Sequence, residues 1–278
     1  LQGPTMLAHL VLVVLLPSLA ISAEITNLPG QPPVSFKQYA GYINLPGTEK
    51  NIFYWFQESQ ANPESDPVAL WTNGGPGCSG LAGALIEQGA FRIQQNQSLS
   101  VNPGAWNQIA NMLFIEQPVG VGFSYSNNSN DYTTGDAQAA EDMYNFILQF
   151  FAQDEFKSFA HNDFYITSES YGGHYMPTLA KYIVDHNKNG DLKFKGFLVG
   201  NPLTDMVENA KGMYDTWYGH QILPLPMWKE WVSSCSDGAN MSDYCNTLED
   251  SMNNIVSDLI YPYGIDWPVC PGDAQYHS

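Results

Sequence analysis

Five short apolar segments, with helical stretches between the last three, constrain the fold of this chain more than any other feature. They are rich in β-branched and aromatic residues, as expected of buried strands, and they are Asn51–Gln57, Pro67–Thr72, Asn111–Glu116, Asp163–Thr167 and Phe194–Val199. Thr134–Phe151 repeats apolar residues at three- and four-residue spacing, and Tyr175–His186 is a second helical stretch. Because strands and helices alternate, we predict an α/β fold with a mostly parallel sheet and flanking helices.

The sequence changes in character after Leu203. The strand pattern stops, prolines recur, and tryptophans crowd together, namely Trp217, Trp228, Trp231 and Trp267. We expect this region to be a helical insertion, or cap, rather than more of the sheet. The predicted organisation is a signal peptide at 1–23, the sheet-forming region at 24–203 and part of a helical cap at 204–278.

The apolar run Leu7–Ala20 ends in small residues, which is typical of a secretory signal peptide and short for a membrane span. An uncleaved N-terminal anchor is the alternative, and Pro17 disfavours it because it interrupts the run. No positively charged segment precedes the run, and residue 1 is leucine. Either Met6 is the start, or the sequence begins inside a longer reading frame.

Composition excludes some classes of partner. With 28 acidic and 10 basic side chains the net charge is −18, and such a surface repels nucleic-acid phosphates. No cysteine or histidine spacing typical of a zinc site occurs, so we expect no metal and no cofactor. In a secreted chain three Asn-X-Ser triplets are glycosylation acceptors, at Asn96, Asn127 and Asn240. Cys235 and Cys245, ten residues apart in a loop-rich segment, are the natural local disulfide.

Two local patterns indicate acyl-transfer chemistry. An apolar strand runs into a turn of small residues with Ser170 at its apex, followed by a helix, which is the setting of a nucleophile elbow. Ser168 stands where that pattern usually has glycine, and an ordinary strand-to-helix connection without catalytic function is the alternative for this turn. The second pattern is the glycine-rich run from Trp71 to Gly80, whose bare N–H groups suit an oxyanion hole. A phosphate-binding loop is excluded because the terminal Gly-Lys-Ser/Thr is absent, which leaves a plain turn as the alternative.

Four long motifs follow one another in the order of the serine carboxypeptidase family, which this chain resembles from Phe36 to Cys270. They are WTNGGPGCSG, FIEQPVGVGFSYS, ITSESYGGHYMP and FKGFLVGNPLTD. The resemblance implies an α/β-hydrolase fold and an enzyme that removes C-terminal amino acids from peptides, generally at acid pH.

The resemblance also assigns roles to single residues. It implies that Ser170 is the acylated nucleophile and that the N–H groups of Gly75 and Tyr171 form the oxyanion hole. It further implies that the carboxylate of the substrate is held by Asn73, Glu87 and Glu169. A glutamate can hydrogen-bond that carboxylate only through a shared proton, so binding should favour low pH.

The base that Ser170 needs is not evident in the sequence. His174 lies on the helix after the elbow, His186 and His220 have polar surroundings, and His277 is near the end. None has the glycine-rich context of the catalytic histidine of the family, and no aspartate stands in a matching segment. We therefore expect the catalytic Asp and His, with the last strands of the sheet, to lie outside this chain.

Cysteine pairing in the family supports the same expectation. The resemblance gives Cys78 and Cys270 partners further downstream, although a Cys78–Cys270 bond is the alternative. The chain would then be the N-terminal part of a larger enzyme, either an incomplete record or the large chain of a processed, disulfide-linked protein.

The resulting hypothesis is a secretory-pathway serine carboxypeptidase, lysosomal or vacuolar or extracellular, acting on peptides with a free C-terminus. The fragment alone is expected to be inactive. An acyltransferase or esterase of the same fold and a non-catalytic, peptide-binding homologue are the alternatives. A homodimer and a disulfide-linked second chain are both compatible with the resemblance, and no stable membrane span is expected.

Overall fold

A computed structural model describes residues 22–236, 242–261 and 263–267 of the chain. Ten strands are present in these residues: β1 (Ala23–Glu24), β2 (Gln38–Asn44), β3 (Lys50–Gln57), β4 (Val68–Thr72), β5 (Phe91–Ile93), β6 (Leu99–Val101), β7 (Asn111–Ile115), β8 (Tyr125–Ser126), β9 (Phe164–Glu169) and β10 (Phe194–Gly200). The α-helices are α1 (Gly80–Ile86), α2 (Asp136–Ala152), α3 (Gly172–His186), α4 (Met206–Gly219), α5 (Leu225–Ser234) and α6 (Asp243–Leu259).

The main sheet has the strand order β1-β2-β3-β7-β4-β9-β10, with β8 beside β3. β4 lies between β7 and β9 and is parallel to both, whereas β1, β2 and β3 pair antiparallel, as do β3 and β7. The α/β class is thus confirmed, and all five predicted strands are present to within a residue or two. The sequence pattern did not predict the antiparallel strands β1 and β2, the hairpin of β5 and β6, or the short strand β8.

Both faces of β3 are buried, because alternate side chains point to opposite sides of a strand. Ile52, Tyr54 and Phe56 pack with α2 and α3 in the larger core, and all three are fully buried. Phe53 and Trp55 pack on the other face, where α1 covers the sheet. Each fully buried large apolar side chain contributes about 1.5–3 kcal/mol by leaving water, so these two layers hold the parallel strands in place.

β10 lies at one end of the sheet order, as expected from its place in the sequence. Phe197 and Leu198 on this strand are 46% and 52% exposed. Within the described residues this edge therefore has no strand beyond it.

The described chain divides into two compact units, and the boundary falls between Val199 and Gly200. This is four residues before the boundary predicted from the change in sequence character. In the second unit α4, α5 and α6 enclose a small core of their own that includes Tyr214, Trp217 and Trp231. The Cys235–Cys245 disulfide joins the end of α5 to α6, with the two Cα atoms 5.6 Å apart.

Candidate active site

Ser170 occupies the sharp turn between β9 and α3, as the elbow pattern predicts. Its φ angle is 53°, in the left-handed region that non-glycine residues seldom adopt, and its side chain is exposed. Gly172 is required nearby because a Cβ atom there would lie 2.1 Å from the Ser168 Oγ. The turn therefore holds the Ser170 hydroxyl outward at a cost in backbone strain.

The departure from the usual elbow motif has a structural explanation. The buried Ser168 hydroxyl donates a 2.7 Å hydrogen bond to the carbonyl oxygen of Thr72 on the neighbouring strand β4. Serine at this position thus ties the elbow to the adjacent strand, while its small side chain still allows the tight turn.

The glycine-rich loop after β4 lies directly against the elbow. A Cβ atom at Gly74 would lie 2.5 Å from the backbone nitrogen of Tyr171 and 2.6 Å from the carbonyl oxygen of Glu169, so only glycine fits there. Gly75 follows with a φ angle of 107°. The backbone N–H groups of Gly75 and Tyr171 donate to no acceptor among the described residues, so both remain available to an oxyanion.

Asn73 joins the two glutamates that the family resemblance groups with it. Its side-chain nitrogen Nδ2 donates to Glu169 Oε1 at 2.9 Å and to Glu87 Oε1 at 3.1 Å. Glu169 immediately precedes Ser170, so this cluster of three residues lies beside the proposed nucleophile. Asn73 is buried, whereas both glutamates are only half-buried and can meet a ligand.

The other end of the Asn73 amide is fixed by two buried donors. Its Oδ1 accepts hydrogen bonds from the Trp71 indole at 2.8 Å and from the backbone N–H of Gly83, in α1, at 3.0 Å. Gly83 must be glycine because a Cβ atom there would lie 2.2 Å from the Trp71 indole nitrogen. Sequence reasoning missed both donors, and the only signal for Gly83 was a glycine inside an apolar run.

Helix α1 carries Glu87 at its C-terminal end and is anchored at its start by Ser79. The Ser79 hydroxyl accepts from the N–H of Leu81 and donates to the buried carboxylate of Glu116. Glu116 also accepts from the N–H of Phe123 at 2.6 Å. The FIEQPVGVGFSYS motif therefore helps to place the helix that presents Glu87.

The electrostatics of the cluster favour a proton at Glu87. Burial raises the pKa of the Glu87 carboxyl above its ordinary value, and the nearby charge of Glu169 raises it further. The hydrogen bond from Asn73 and the positive charge of Arg92 oppose this shift without reversing it. Glu87 consequently stays neutral to a higher pH than an ordinary glutamate does.

Asp136 on α2 and His174 on α3 support the side chain of Tyr171. The Tyr171 hydroxyl donates to the Asp136 carboxylate, 3.2 Å from Oδ1, and the Tyr171 ring stacks on His174 with centroids 4.7 Å apart. His174 Nδ1 lies 3.8 Å from Asp136 Oδ2. This arrangement orients the residue that follows Ser170, but Ser170 Oγ itself has no hydrogen-bonded histidine among the described residues.

The other histidines and the remaining predicted residues lie away from the elbow or outside the description. His186 and His220 are exposed, and His186 Nδ1 contacts the carbonyl oxygen of Tyr182 at 2.8 Å. Asn96 and Asn127, the two described asparagines of the predicted glycosylation triplets, are exposed. Cys78 is exposed and has no disulfide partner in the described part of the chain. The segments 1–21, 237–241, 262 and 268–278, which contain Asn240, Cys270, His277 and almost all of the predicted signal peptide, lie outside the described residues.

No group of acidic, cysteine and histidine side chains in the described residues could hold a metal ion. No described helix is both long enough and apolar enough to cross a membrane.

Comparison with known proteins links this geometry to a family. The serine carboxypeptidase family model matches residues 29–277. Among similar proteins from Arabidopsis thaliana, serine carboxypeptidase-like 35 is 42% identical over 258 residues, which are 88% of this chain and 53% of that protein. Serine carboxypeptidase 24 is 42% identical over 262 residues, which are 91% of this chain and 56% of that protein. The chain thus spans about half the length of the curated relatives it matches.

A solved structure supports the fold independently. The prohormone-processing carboxypeptidase Kex1(delta)p from Saccharomyces cerevisiae superposes with a TM-score of 0.68 at 24% sequence identity. The match covers 79% of this chain and 53% of the yeast protein. At this identity the likeness establishes the α/β-hydrolase architecture.

Proposed function

Because this chain belongs to the serine carboxypeptidase family, we propose that the native protein releases C-terminal amino acids from peptides through an acyl-enzyme on Ser170. The observation that carries the proposal is the Asn73 side chain, which bonds both Glu87 and Glu169 beside the exposed Ser170. A binding site for a free carboxylate next to a nucleophile is what an exopeptidase needs.

In the proposed reaction, Ser170 Oγ attacks the last peptide carbonyl carbon while a histidine takes its proton. The N–H groups of Gly75 and Tyr171 bind the oxygen on which negative charge develops. The intermediate then collapses, the amino acid leaves after receiving the proton, and Ser170 holds the acyl group as an ester. Water activated by the same histidine hydrolyses that ester and restores the serine.

The proposal assigns the catalytic histidine and its aspartate to parts of the protein other than the described residues. The described histidines support this assignment, because none bonds the Ser170 hydroxyl. If the base is absent, turnover falls by several orders of magnitude even with an intact oxyanion hole. A form of the protein that lacks these parts should therefore show no peptidase turnover.

The pH dependence follows from Glu87. Two ionised carboxylates repel, so the terminal carboxylate of the substrate binds well when a glutamate of the cluster supplies a proton. The raised pKa of Glu87 extends the pH range over which it can do so. Binding of peptides with a free terminal carboxylate should thus be strong at acid pH and should weaken as the pH rises through this raised pKa. Peptides with an amidated C-terminus should lose less affinity over the same pH range.

The location we propose is the secretory pathway, with delivery to a lysosome or vacuole or outside the cell. The Cys235–Cys245 disulfide supports it, since such bonds persist in oxidising compartments. The exposed glycosylation triplets at Asn96 and Asn127 are consistent with the same route.

The test compares blocked dipeptides that end in a free acid or in an amide, from about pH 5 to about pH 8, using the native protein. We expect the protein to cleave the free-acid peptide faster than the amidated peptide at low pH, and we expect this ratio to fall at high pH. Ser170→Ala should abolish turnover of both peptides. The Glu87→Gln variant should flatten the rise of KM with pH, because an amide donates a hydrogen bond at every pH. The exposed Glu64→Gln is the matched control.

Two results would contradict the proposal. One is peptide turnover that survives Ser170→Ala. The other is acyl transfer from an activated ester to an acceptor alcohol without any peptide cleavage, which would favour the acyltransferase alternative.

A further inference from the structure

Asp136, the first residue of α2, contacts the side chain of the residue that follows the proposed nucleophile. The Tyr171 hydroxyl lies 3.2 Å from Asp136 Oδ1 and 3.3 Å from Asp136 Oδ2, so the two carboxylate oxygens share the donated hydrogen bond. Asp136 has no role among those that the family resemblance implies. Through this contact the turn between β9 and α3 is attached to a second helix.

Helix α2 gives the Asp136 carboxylate a firm support. The helix has 17 residues and buries Ala140, Met143 and Phe146 in the larger core. Asp136 lies in its first turn, where the positive end of the helix dipole stabilises a carboxylate. Among the described residues no lysine or arginine pairs with Asp136. Its oxygens are therefore available to the Tyr171 hydroxyl.

Helix α3 holds the ring of Tyr171 from other sides. The ring stacks on His174 and meets the edge of Tyr175, with the Tyr171 and Tyr175 centroids 5.0 Å apart and the planes at 77°. The N–H groups of His174 and Tyr175 donate to the Tyr171 carbonyl oxygen at 2.9 and 3.2 Å. The hydroxyl end of Tyr171 is thus fixed by α2, and its ring and carbonyl are fixed by α3.

The backbone N–H of Tyr171 needs this support more than an ordinary backbone group does. It donates to no acceptor among the described residues, so no hydrogen bond of its own fixes its position. The preceding residue, Ser170, is strained at a φ angle of 53°, and any relaxation of that strain would displace the Tyr171 N–H. A displacement of about 1 Å in a catalytic group can cost about 100-fold in rate.

We propose that Asp136 is a positioning residue, which holds the Tyr171 hydroxyl and thereby keeps the Tyr171 backbone N–H aimed at the developing oxyanion. This role rests on the proposed function, in which that N–H is one of the two oxyanion donors. Burial raises the pKa of the Tyr171 phenol, and the charge of Asp136 raises it further, so the hydroxyl remains a donor at every working pH.

The test measures two reactions of the native protein: turnover of a blocked dipeptide and the rate at which a fluorophosphonate probe labels Ser170. Asp136→Ala should lower kcat and the labelling rate about tenfold, because loss of a whole oxyanion donor costs about 100- to 1,000-fold and this change only loosens one. KM should change little, since Asp136 makes no hydrogen bond to Asn73, Glu87 or Glu169. Glu141→Ala, at an exposed position of α2, is the matched control and should change neither rate.

Further variants separate positioning from a general effect on α2. Tyr171→Phe removes the hydroxyl and should slow both reactions about as much as Asp136→Ala, and the double variant should be no slower than either single variant. Asp136→Asn keeps an acceptor but loses the charge at the helix start, and it should stay within about twofold of the wild-type rates. Any loss of helix stability from Asp136→Ala should be the same with and without Tyr171→Phe, and thermal unfolding measures it.

A folded Asp136→Ala variant that labels at the wild-type rate would overturn the proposal. So would an equal slowing by Asp136→Ala with and without Tyr171→Phe, because the two residues would then act independently. If the wild-type protein is labelled at Ser170 but cleaves no peptide, only the proposed function is contradicted, and the labelling rates still decide the role of Asp136.

Discussion

Replacement of Asn73 by alanine tests the claim that one amide organises the carboxylate site. The change leaves the indole N–H of Trp71 and the backbone N–H of Gly83 without their acceptor, and both groups are buried. At about 1–3 kcal/mol for each of the two orphaned donors, the free energy of unfolding should fall by about 2–6 kcal/mol. The lost bonds to Glu87 and Glu169 add little to this sum, because both glutamates are only half-buried and water can replace the lost donor.

Asn73→Asp separates the two ends of the amide. Aspartate keeps an acceptor for Trp71 and Gly83 but places a third carboxyl group against Glu87 and Glu169. The added carboxyl group should raise the pKa of Glu87 further in the folded state, so stability falls as the pH rises from the ordinary value of that glutamate through the raised one. Asn73→Asp should therefore lose less free energy of unfolding than Asn73→Ala at about pH 5, and this difference should disappear at about pH 8.

The assay is urea unfolding of both variants at the two pH values, with Asn189→Ala as an exposed control that should change little. The transition of the unit that ends at Val199 should shift, while that of the second unit should not. A loss below about 1 kcal/mol for Asn73→Ala, or identical behaviour of the two variants at both pH values, would refute the reasoning.

Three further predictions concern the elbow and the core. Ser170→Gly should raise the free energy of unfolding by about 1 kcal/mol, because glycine adopts the φ angle of 53° without strain. Ser170→Ala should give no such increase, because alanine keeps the Cβ atom, and thermal unfolding of the two variants measures the difference. Gly172→Ala should cost about 1–3 kcal/mol in urea unfolding, since its Cβ would lie 2.1 Å from Ser168 Oγ, and adding Ser168→Gly should recover part of that loss. Asp142→Asn should lower the free energy of unfolding by about 3–5 kcal/mol, because the buried Lys50 ammonium, 2.6 Å from the Asp142 carboxylate, then has no counter-charge. Adding Lys50→Met to this variant should restore most of the lost stability, and a double-mutant cycle that shows little recovery would contradict the explanation.

The parts of the site that depend on backbone geometry were predictable from sequence. Ser170 needs small neighbours at a strand-to-helix turn, and Gly74 and Gly75 carry bare N–H groups, so residue types alone indicate both features. The resemblance to the family brought in Asn73, Glu87 and Glu169, which spacing alone would not have joined. The structure shows that Asn73 bonds both glutamates.

Other elements escaped sequence analysis for physical reasons. Helix α1 has two glycines among its seven residues and thus a poor intrinsic helix propensity; its packing against the sheet and the Ser79 cap hold it instead. Strand β2 mixes polar and apolar residues without a clean alternation, and Gln38 on it is buried. The Lys50–Asp142 pair joins residues 92 positions apart, and nothing local in the sequence predicts that contact.

The central claim is that Ser170 is the nucleophile of a serine carboxypeptidase. Its most direct test is to treat the native protein with a fluorophosphonate probe, which reacts with activated serines, and to locate the adduct by mass spectrometry of its peptides. We expect a single adduct, on the peptide that contains Ser170, and none after prior unfolding. An adduct on another serine, or no adduct on native protein that cleaves peptides, would contradict the claim.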